Sequence, residues 1–166
     1  MEKLKAGIVT FHRATNYGAV LQAYALQNAL LKLGVKSEII DNRCDRVDLL
    51  YSKNRPEKTD KNGKVTAQSV KAFVSWVLKR KDNKLKRYLF DNFIEQYLSI
   101  SKKFDSRIEL IKEEAYYDFF ICGSDQVWNL GVTDSNGIYF LDFTSSSKKN
   151  SYAASLGSAR IDESNI

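Results

Sequence analysis

Residues 4–41 read LKAGIVTFHRATNYGAVLQAYALQNALLKLGVKSEIID, and this stretch predicts the fold. Residues 4–11 form an apolar, β-branched run that is typical of a buried strand. A helix is expected from about residue 19 to residue 33, because apolar residues recur there at helical spacing. The stripe consists of Ala19, Ala23, Leu26, Leu30 and Leu33. Gly34 is a natural helix end, and residues 35–41 predict a second strand. The resulting βαβ unit implies parallel pairing with a right-handed crossover.

A further buried strand is predicted at residues 117–122, YDFFIC, and it runs directly into the polar loop GSDQVWN at residues 123–129. In open α/β sheets, ligands bind beyond the carboxyl ends of the strands. We therefore expect this loop and the loop after the first strand to face one cleft at that edge of the sheet. Two more short strands are expected at residues 138–143 and 150–155.

The middle of the chain has a different character. Residues 52–69 are polar and lysine-rich and contain the only proline, Pro56, so a solvated loop is expected there. Amphipathic spacing predicts a helix at 70–78 and a second at about 85–98, and Ser106 is a candidate N-cap for a short helix through Glu114. We therefore predict a single α/β domain over residues 1–166. It is a Rossmann-like parallel sheet with flanking helices, with a polar loop and helical pair at about 45–105.

The formal net charge of +6 is concentrated in the middle of the chain. Residues 51–106 hold fourteen Lys or Arg and six Asp or Glu, whereas residues 107–166 hold five and nine. The basic run at residues 79–87 is typical of a solvated junction between two helices, with a phosphate-binding patch as the alternative. Nucleic-acid binding is not expected, because the aromatic residues fall at core spacing and do not interleave with the basic ones.

No stretch approaches the roughly 18 apolar residues that a membrane helix needs, so no integral membrane segment is expected. The amino-terminal residues run straight into a strand without a signal-peptide pattern, which favours a cytoplasmic protein. Cys44 and Cys122 lack metal-ligand spacing, and free thiols are expected in preference to a disulfide.

The loop after the first strand offers five candidate substrate-binding residues: His12, Arg13, Asn16, Tyr17 and Gly18. A loop that ends a strand and opens a helix places free N–H groups and the positive helix end at the strand tip. His12 is the only histidine, and its alternative role is structural. Arg13 suits either an acidic ligand or a surface carboxylate. The loop is neither GxGxxG nor a P-loop, so it does not indicate dinucleotide or NTP binding.

In the loop at 123–129, Asp125 is the candidate general base for a sugar hydroxyl or the acceptor of two such hydroxyl hydrogen bonds, with an N-cap of a following helix as the alternative. Ser124 and Gln126 are candidate substrate-binding residues, and Gln126 also suits a loop-holding role. Trp128 is expected to pack, with a sugar-stacking surface as the alternative. Small residues at 151–157, SYAASLG, permit close approach of a backbone or ligand. The pattern contains no Ser/His/Asp set, no pair of catalytic carboxylates and no metal cluster, so no metal is expected.

Three segments together resemble the polysaccharide pyruvyl transferase family. They are GIVTFH at 7–12 with NYGAVLQAYAL at 16–26, YD at 117–118 with GSDQVWN at 123–129, and YFLDF at 139–143 with SYAASLG at 151–157. Their order and spacing fit the family over nearly the whole chain, whereas residues 45–105 resemble it only loosely.

The resemblance implies transfer of a pyruvyl group from phosphoenolpyruvate to a saccharide, usually as a cyclic ketal across two hydroxyls, during cell-surface or exopolysaccharide biosynthesis. It implies phosphoenolpyruvate as the donor substrate and no cofactor. Members of the family resemble two-domain enzymes with a glycosyltransferase-B-like arrangement and are about twice as long. This chain then corresponds to the N-terminal domain, which holds the acceptor side of the site, with the C-terminal domain absent.

Two interpretations follow from that resemblance. As half of an enzyme, the chain alone is expected to be inactive and to pair with a C-terminal domain or with a second copy of itself. The alternative is a stand-alone saccharide-binding or remnant domain without catalysis.

Overall fold

Five strands and four α-helices make up the described part of the chain, which comprises residues 3–42, 65–129, 133 and 137–157 of the computed structural model. In chain order they are β1 (Lys5–Val9), α1 (Tyr17–Lys32), β2 (Lys36–Asn42), α2 (Ala67–Leu78), α3 (Arg80–Tyr97), β3 (Ile100–Phe104), α4 (Arg107–Lys112), β4 (Phe119–Gly123) and β5 (Lys149–Tyr152). Short 3-10 turns lie at Glu114–Tyr116, Ile138–Phe140 and Ser146–Lys148. No helix in these ranges is long and apolar enough to cross a membrane.

The strands lie in the order β3-β2-β1-β4-β5, and every neighbouring pair is parallel. The chain moves outward from β1 through β2 to β3, then continues on the other side of β1 with β4 and β5. The winding direction therefore changes between β1 and β4, and a crevice forms at the carboxyl ends of the strands at such a switch point. The predicted α/β class with a Rossmann-like parallel sheet is confirmed.

Both faces of the central strands are covered, as expected for parallel strands whose side chains alternate between faces. On one face, Ile8 and Ile39 pack with buried residues of α1 and α3. On the other face, Val9 and Ile40 pack with Phe120 and with α4. The apolar β1 run is thus buried on both sides, which leaves the strand ends and their loops as the accessible polar edge.

The predicted helices are present, and their ends follow from the local sequence. Asn16 is the N-cap of α1, and Gly34 follows its C-cap with a φ of 81°. At the start of α2, the side chains of Thr66 and Ser69 form a reciprocal capping box. Ser106 caps α4 through its hydroxyl, as predicted. The turn residues therefore fix where each helix enters and leaves the sheet.

The strand predicted at residues 138–143 is wrong. The chain forms a 3-10 turn at Ile138–Phe140, flanked by Gly137 with a φ of 76° and Leu141 with a φ of 55°. Both angles are left-handed, and a strand does not adopt them. The apolar residues of this segment are buried instead in the core on the α4 side: Ile138, Tyr139, Leu141 and Phe143. Core packing of a turn and pairing of a strand produce the same apolar composition, which is why the prediction failed.

Three further differences concern where an element begins or ends, or whether it was predicted at all. The strand predicted at 150–155 ends at Tyr152, because Ala153 turns the chain with a φ of 50°. Strand β3 was not predicted, since its centre is Ser-Lys-Lys and it lies at the exposed edge of the sheet. The loop predicted at 52–69 lies mainly outside the described residues, and α2 begins at Ala67, before the predicted end of that loop.

Candidate functional site

The loops after β1 and β4 are joined by the side chain of Gln22. Its Nε2 donates to Thr10 Oγ1 at 2.8 Å, directly after β1, and to the carbonyl of Ala19 at 2.8 Å. Its Oε1 accepts from the backbone N–H of Ser124 at 3.1 Å, directly after β4. One side chain of α1 thus sets the relative position of the two loops at the switch point of the sheet.

Asn16, Tyr17 and Gly18 form the exposed start of α1. The Asn16 side-chain oxygen accepts from the Gly18 N–H at 2.8 Å, so this helix end is capped by the protein's own side chain. The Tyr17 ring is 65% exposed and packs against Phe90 of α3, with ring centroids 4.8 Å apart. These three predicted residues therefore lie together, one helical turn before Gln22.

His12 and Arg13 contact a carboxylate that sequence reasoning did not single out. Asp41, at the carboxyl end of β2, accepts from Arg13 Nε at 3.0 Å and from Arg13 Nη2 at 2.8 Å. His12 Nε2 lies 3.2 Å from the same carboxylate, and its Nδ1 lies 3.2 Å from the carbonyl of Thr10. His12 and Asp41 are each 3% exposed. We call these three side chains the Asp41 anchor; His12 and Asp41 are buried and Arg13 is half-buried, between the ends of β1 and β2.

The charge state of Asp41 follows from these contacts. Burial raises the pKa of its carboxyl, but the hydrogen bonds and positive charge of His12 and Arg13 outweigh burial and hold the pKa well below its ordinary value. Asp41 is therefore a carboxylate at neutral pH, and the bidentate pair with Arg13 fixes the loop after β1.

The loop after β4 pairs with the third segment of the predicted site, at residues 151–157. The Ser155 N–H donates to the carbonyl of Asp125 at 3.0 Å, and the Trp128 N–H donates to the carbonyl of Ser155 at 3.1 Å. Within the loop, Gln126 Oε1 accepts from Asn129 Nδ2 at 2.9 Å. These bonds give Gln126 a loop-holding contact and make 153–157 a wall beside the loop.

Asp125 is half-buried, and no helix begins after it among the described residues, so the alternative of an N-cap is wrong. Its Oδ1 accepts from the Gln126 N–H at 2.7 Å. In the part of the chain that the structure describes, its Oδ2 and the Ser124 hydroxyl form no hydrogen bond. One carboxylate oxygen and one hydroxyl at this strand end are therefore available to a ligand.

Trp128 and Cys122 have structural roles. Trp128 Nε1 donates to the carbonyl of Tyr139 at 3.0 Å, and its ring stacks on that of Phe140 with centroids 6.1 Å apart. The Cys122 thiol donates to the same carbonyl at 2.8 Å. Burial raises the pKa of Cys122 to about 12, so this free thiol is not a nucleophile at neutral pH. Cys44 lies outside the described residues, and within them no group of three or more potential metal ligands occurs.

The predicted site residues thus fall into two groups. Ser124, Asp125 and Gln126 share one loop that Gln22 ties to the start of α1. His12 and Arg13 instead contact Asp41 on β2, which lies on the other side of β1 from β4. The sequence could have indicated Asp41 as a site residue, because it ends a predicted strand and the ends of parallel strands meet at one edge of a sheet.

One family model matches most of the chain. It is described as polysaccharide pyruvyl transferase and covers residues 16–166, which include α1, the loop after β4 and the wall at 153–157. β1, His12 and Arg13 lie before the match. No curated protein and no solved structure matches the chain significantly. Because the family model covers far more than half of its residues, the chain belongs to the polysaccharide pyruvyl transferase family.

Proposed function

We propose that this domain holds a saccharide acceptor between the loops after β1 and β4, for transfer of a pyruvyl group from phosphoenolpyruvate. The observation that carries the proposal is the Gln22 bridge, which fixes Ser124 relative to the end of β1 in a member of a pyruvyl transferase family. Ligands of open α/β sheets bind at the switch point where these two loops lie. No nucleotide-binding loop competes for that position in the sequence.

Asp125 is the general base of the proposed reaction. As a sugar hydroxyl oxygen bonds to the central carbon of phosphoenolpyruvate, Asp125 Oδ2 accepts the hydroxyl proton. A second hydroxyl closes the ketal while phosphate leaves. The two hydroxyl groups lose two protons in total. One proton is gained by the enol methylene, which becomes a methyl group, and the other is gained by the departing phosphate. The free carboxylate oxygen supports this role, because it has no partner to displace among the described residues.

Some of the other predicted residues are proposed to contact the saccharide, and the rest hold the loop after β1 in position. We propose that the Ser124 hydroxyl, the Gln126 amide and the exposed residues 16–18 contact the saccharide. The Asp41 anchor holds the loop after β1 through His12 and Arg13, so these two residues act on the acceptor through the loop's position. We propose that the cationic groups for the phosphate and carboxylate of the donor belong to a second domain of a glycosyltransferase-B-like pair.

Asp125→Asn is expected to weaken saccharide binding by tenfold or more, since a hydrogen bond to a charged acceptor contributes about 1.5–3 kcal/mol. Binding is measured by ligand-observed NMR titration with methyl mannoside and methyl galactoside as probes. Asp105→Asn is the matched control, because Asp105 follows β3 at the same edge of the sheet but far from the switch point. Unchanged binding in Asp125→Asn, or equal weakening in both variants, would contradict the assignment.

We also expect the isolated chain to release no phosphate from phosphoenolpyruvate when either probe is present, because the proposed site is one half of a two-domain cleft. Phosphate release is followed with a coupled colorimetric assay, with the saccharide omitted as the control. Acceptor-dependent release by the chain alone would refute the half-site proposal. Saccharide binding that is insensitive to added phosphoenolpyruvate would agree with a stand-alone binding domain.

A further inference from the structure

The basic charge of this protein is concentrated on α2 and the first half of α3. Residues 67–90 contain seven Lys or Arg and one Asp, a net charge of +6 that equals the net charge of the whole chain. The basic residues are Lys71, Lys79, Arg80, Lys81, Lys84, Lys86 and Arg87. Lys86 is half-buried and the other six are exposed. A segment outside the proposed saccharide site therefore carries a strong positive field.

The same segment exposes an apolar stripe. Val70, Val74, Val77 and Leu78 recur at i, i+4, i+7 and i+8 along α2, a spacing that normally marks a buried helix face. Here they are 45–76% exposed. Leu85, Tyr88 and Leu89 of α3 are 56–60% exposed. We call these apolar and basic residues of 67–90 the α2–α3 face.

An apolar cleft of about 200 Å³ joins this face to the start of α1. Tyr17 and Leu21 of α1 and Leu89 and Phe90 of α3 line it. The Lys86 ammonium lies 5.2 Å from the centroid of the Tyr17 ring and 5.5 Å from that of Phe90. A cation at the edge of an apolar cleft suits a ligand with an anionic head and an apolar chain.

We propose that the α2–α3 face docks the protein on an anionic lipid bilayer. Helices with exposed apolar residues and a Lys- and Arg-rich polar surface lie in the interface of a membrane, with the apolar residues buried at the headgroup boundary. Each basic residue near an anionic leaflet adds a favourable electrostatic contribution. In this arrangement the chain binds the membrane surface through the α2–α3 face, and the cleft beside Tyr17 brings the start of α1 next to the lipid.

The positive charge of the α2–α3 face favours an anionic bilayer over a second copy of the chain, and its apolar residues favour a bilayer over a nucleic acid. Burial of the face against a second copy of the chain would bring two surfaces of the same strong positive charge together, which is unfavourable. A nucleic acid would satisfy the charge but would leave the valine stripe of α2 exposed. An anionic bilayer complements both the charge and the apolar residues.

Co-sedimentation of the full chain with lipid vesicles tests the proposal. We expect binding to phosphatidylcholine vesicles that contain a quarter phosphatidylglycerol, little binding to pure phosphatidylcholine, and a decrease at high salt. The double variant Lys81→Glu with Lys84→Glu should lower the partition coefficient at least about 25-fold, on the basis of about fivefold per basic residue. Lys3→Glu with Lys112→Glu changes the net charge equally at exposed positions outside the face and should bind like the wild type.

The apolar contribution is tested by Val74→Ser with Val77→Ser, which should reduce vesicle binding several-fold while far-UV circular dichroism shows a folded chain. Equal binding to neutral and anionic vesicles, or equal losses in the two lysine pairs, would overturn the proposal. So would a lipid-free dimer that the valine variant abolishes. Tighter binding to a single-stranded oligonucleotide than to anionic vesicles would assign the face to nucleic acid instead.

Discussion

Asp41→Ala is expected to lower the free energy of unfolding by about 3 kcal/mol, because it removes the acceptor that the buried His12 and the half-buried Arg13 share. The carboxylate of Asp41 accepts from both Nε and Nη2 of Arg13 and lies 3.2 Å from His12 Nε2. In the variant His12 stays buried without that partner, while Arg13, whose side chain is 32% exposed, reaches water. Because Arg13 can be solvated in the variant, we expect a loss of unfolding free energy at the lower end of the range of about 3–5 kcal/mol for breaking a buried ion pair.

Urea unfolding followed by circular dichroism measures the change. Asp41→Asn keeps an oxygen acceptor and should cost less than the alanine variant. Asp91→Ala is the control: Asp91 lies exposed on α3, and surface changes of this kind usually stay within about 0.5 kcal/mol. If Asp41→Ala unfolds like Asp91→Ala, the anchor does not contribute to stability and His12 and Arg13 are free for another role.

The same anchor predicts how stability depends on pH. The pKa of Asp41 lies below its ordinary value of 3.8 in the folded chain, so the unfolded chain binds the proton more readily. The contribution of Asp41 is therefore fully present above pH 4 to 5 and is lost as the pH falls through the ordinary value toward the folded one. The difference in unfolding free energy between wild type and Asp41→Asn should be constant from pH 7 to about 5 and shrink below that. A constant difference down to pH 3 would contradict the paired carboxylate.

The sequence predicted the parts of the fold that local patterns determine. The apolar run of β1, the spacing of α1 and Gly34 are local signals, and together they implied the parallel βαβ unit that is present. Strand β3 was missed because an edge strand needs few apolar residues, and its centre is Ser-Lys-Lys. The strand prediction at residues 138–143 was wrong because a turn that is packed in the core is as rich in apolar residues as a strand. Burial explains apolar residues in both cases, and only backbone conformation separates them.

The location of the candidate loops in the fold could be predicted from the sequence, whereas the hydrogen-bond partners of their residues could not. The loop containing Asp125 was placed correctly at the carboxyl end of a strand, since that follows from strand direction alone. The roles of Gln22 and Asp41 depend on contacts between residues that are 102 and 28 positions apart in the chain. Polar side chains in a helix or at a strand end have many potential partners. Periodicity reports which face a residue occupies and says nothing of the group it meets there.

Gly123→Ala is expected to destabilise the fold by about 4 kcal/mol, the sum of about 1–3 kcal/mol for strained backbone and about 1–3 kcal/mol for overpacking. Gly123 ends β4 with a φ of 135°, which L side chains rarely adopt. A methyl group there would collide with the backbone carbonyl of Tyr152 on β5. A backbone oxygen in a paired strand has no rotamer that moves it away, so β5 or the loop itself must shift.

A series of three glycines separates strain from collision. Gly34→Ala has a φ of 81° with no atom within 4 Å, so it should cost only the conformational penalty of about 1–2 kcal/mol. Gly18→Ala meets only Asn16 Oδ1, at 3.3 Å, and should change stability little. Because Gly123 directly precedes Ser124 and Asp125, its variant should also lose the proposed saccharide binding, whereas Gly34→Ala should retain it. If Gly123→Ala instead unfolds like Gly34→Ala and still binds the probes, then β5 yields to the methyl group, and the wall at 153–157 does not fix the position of Asp125.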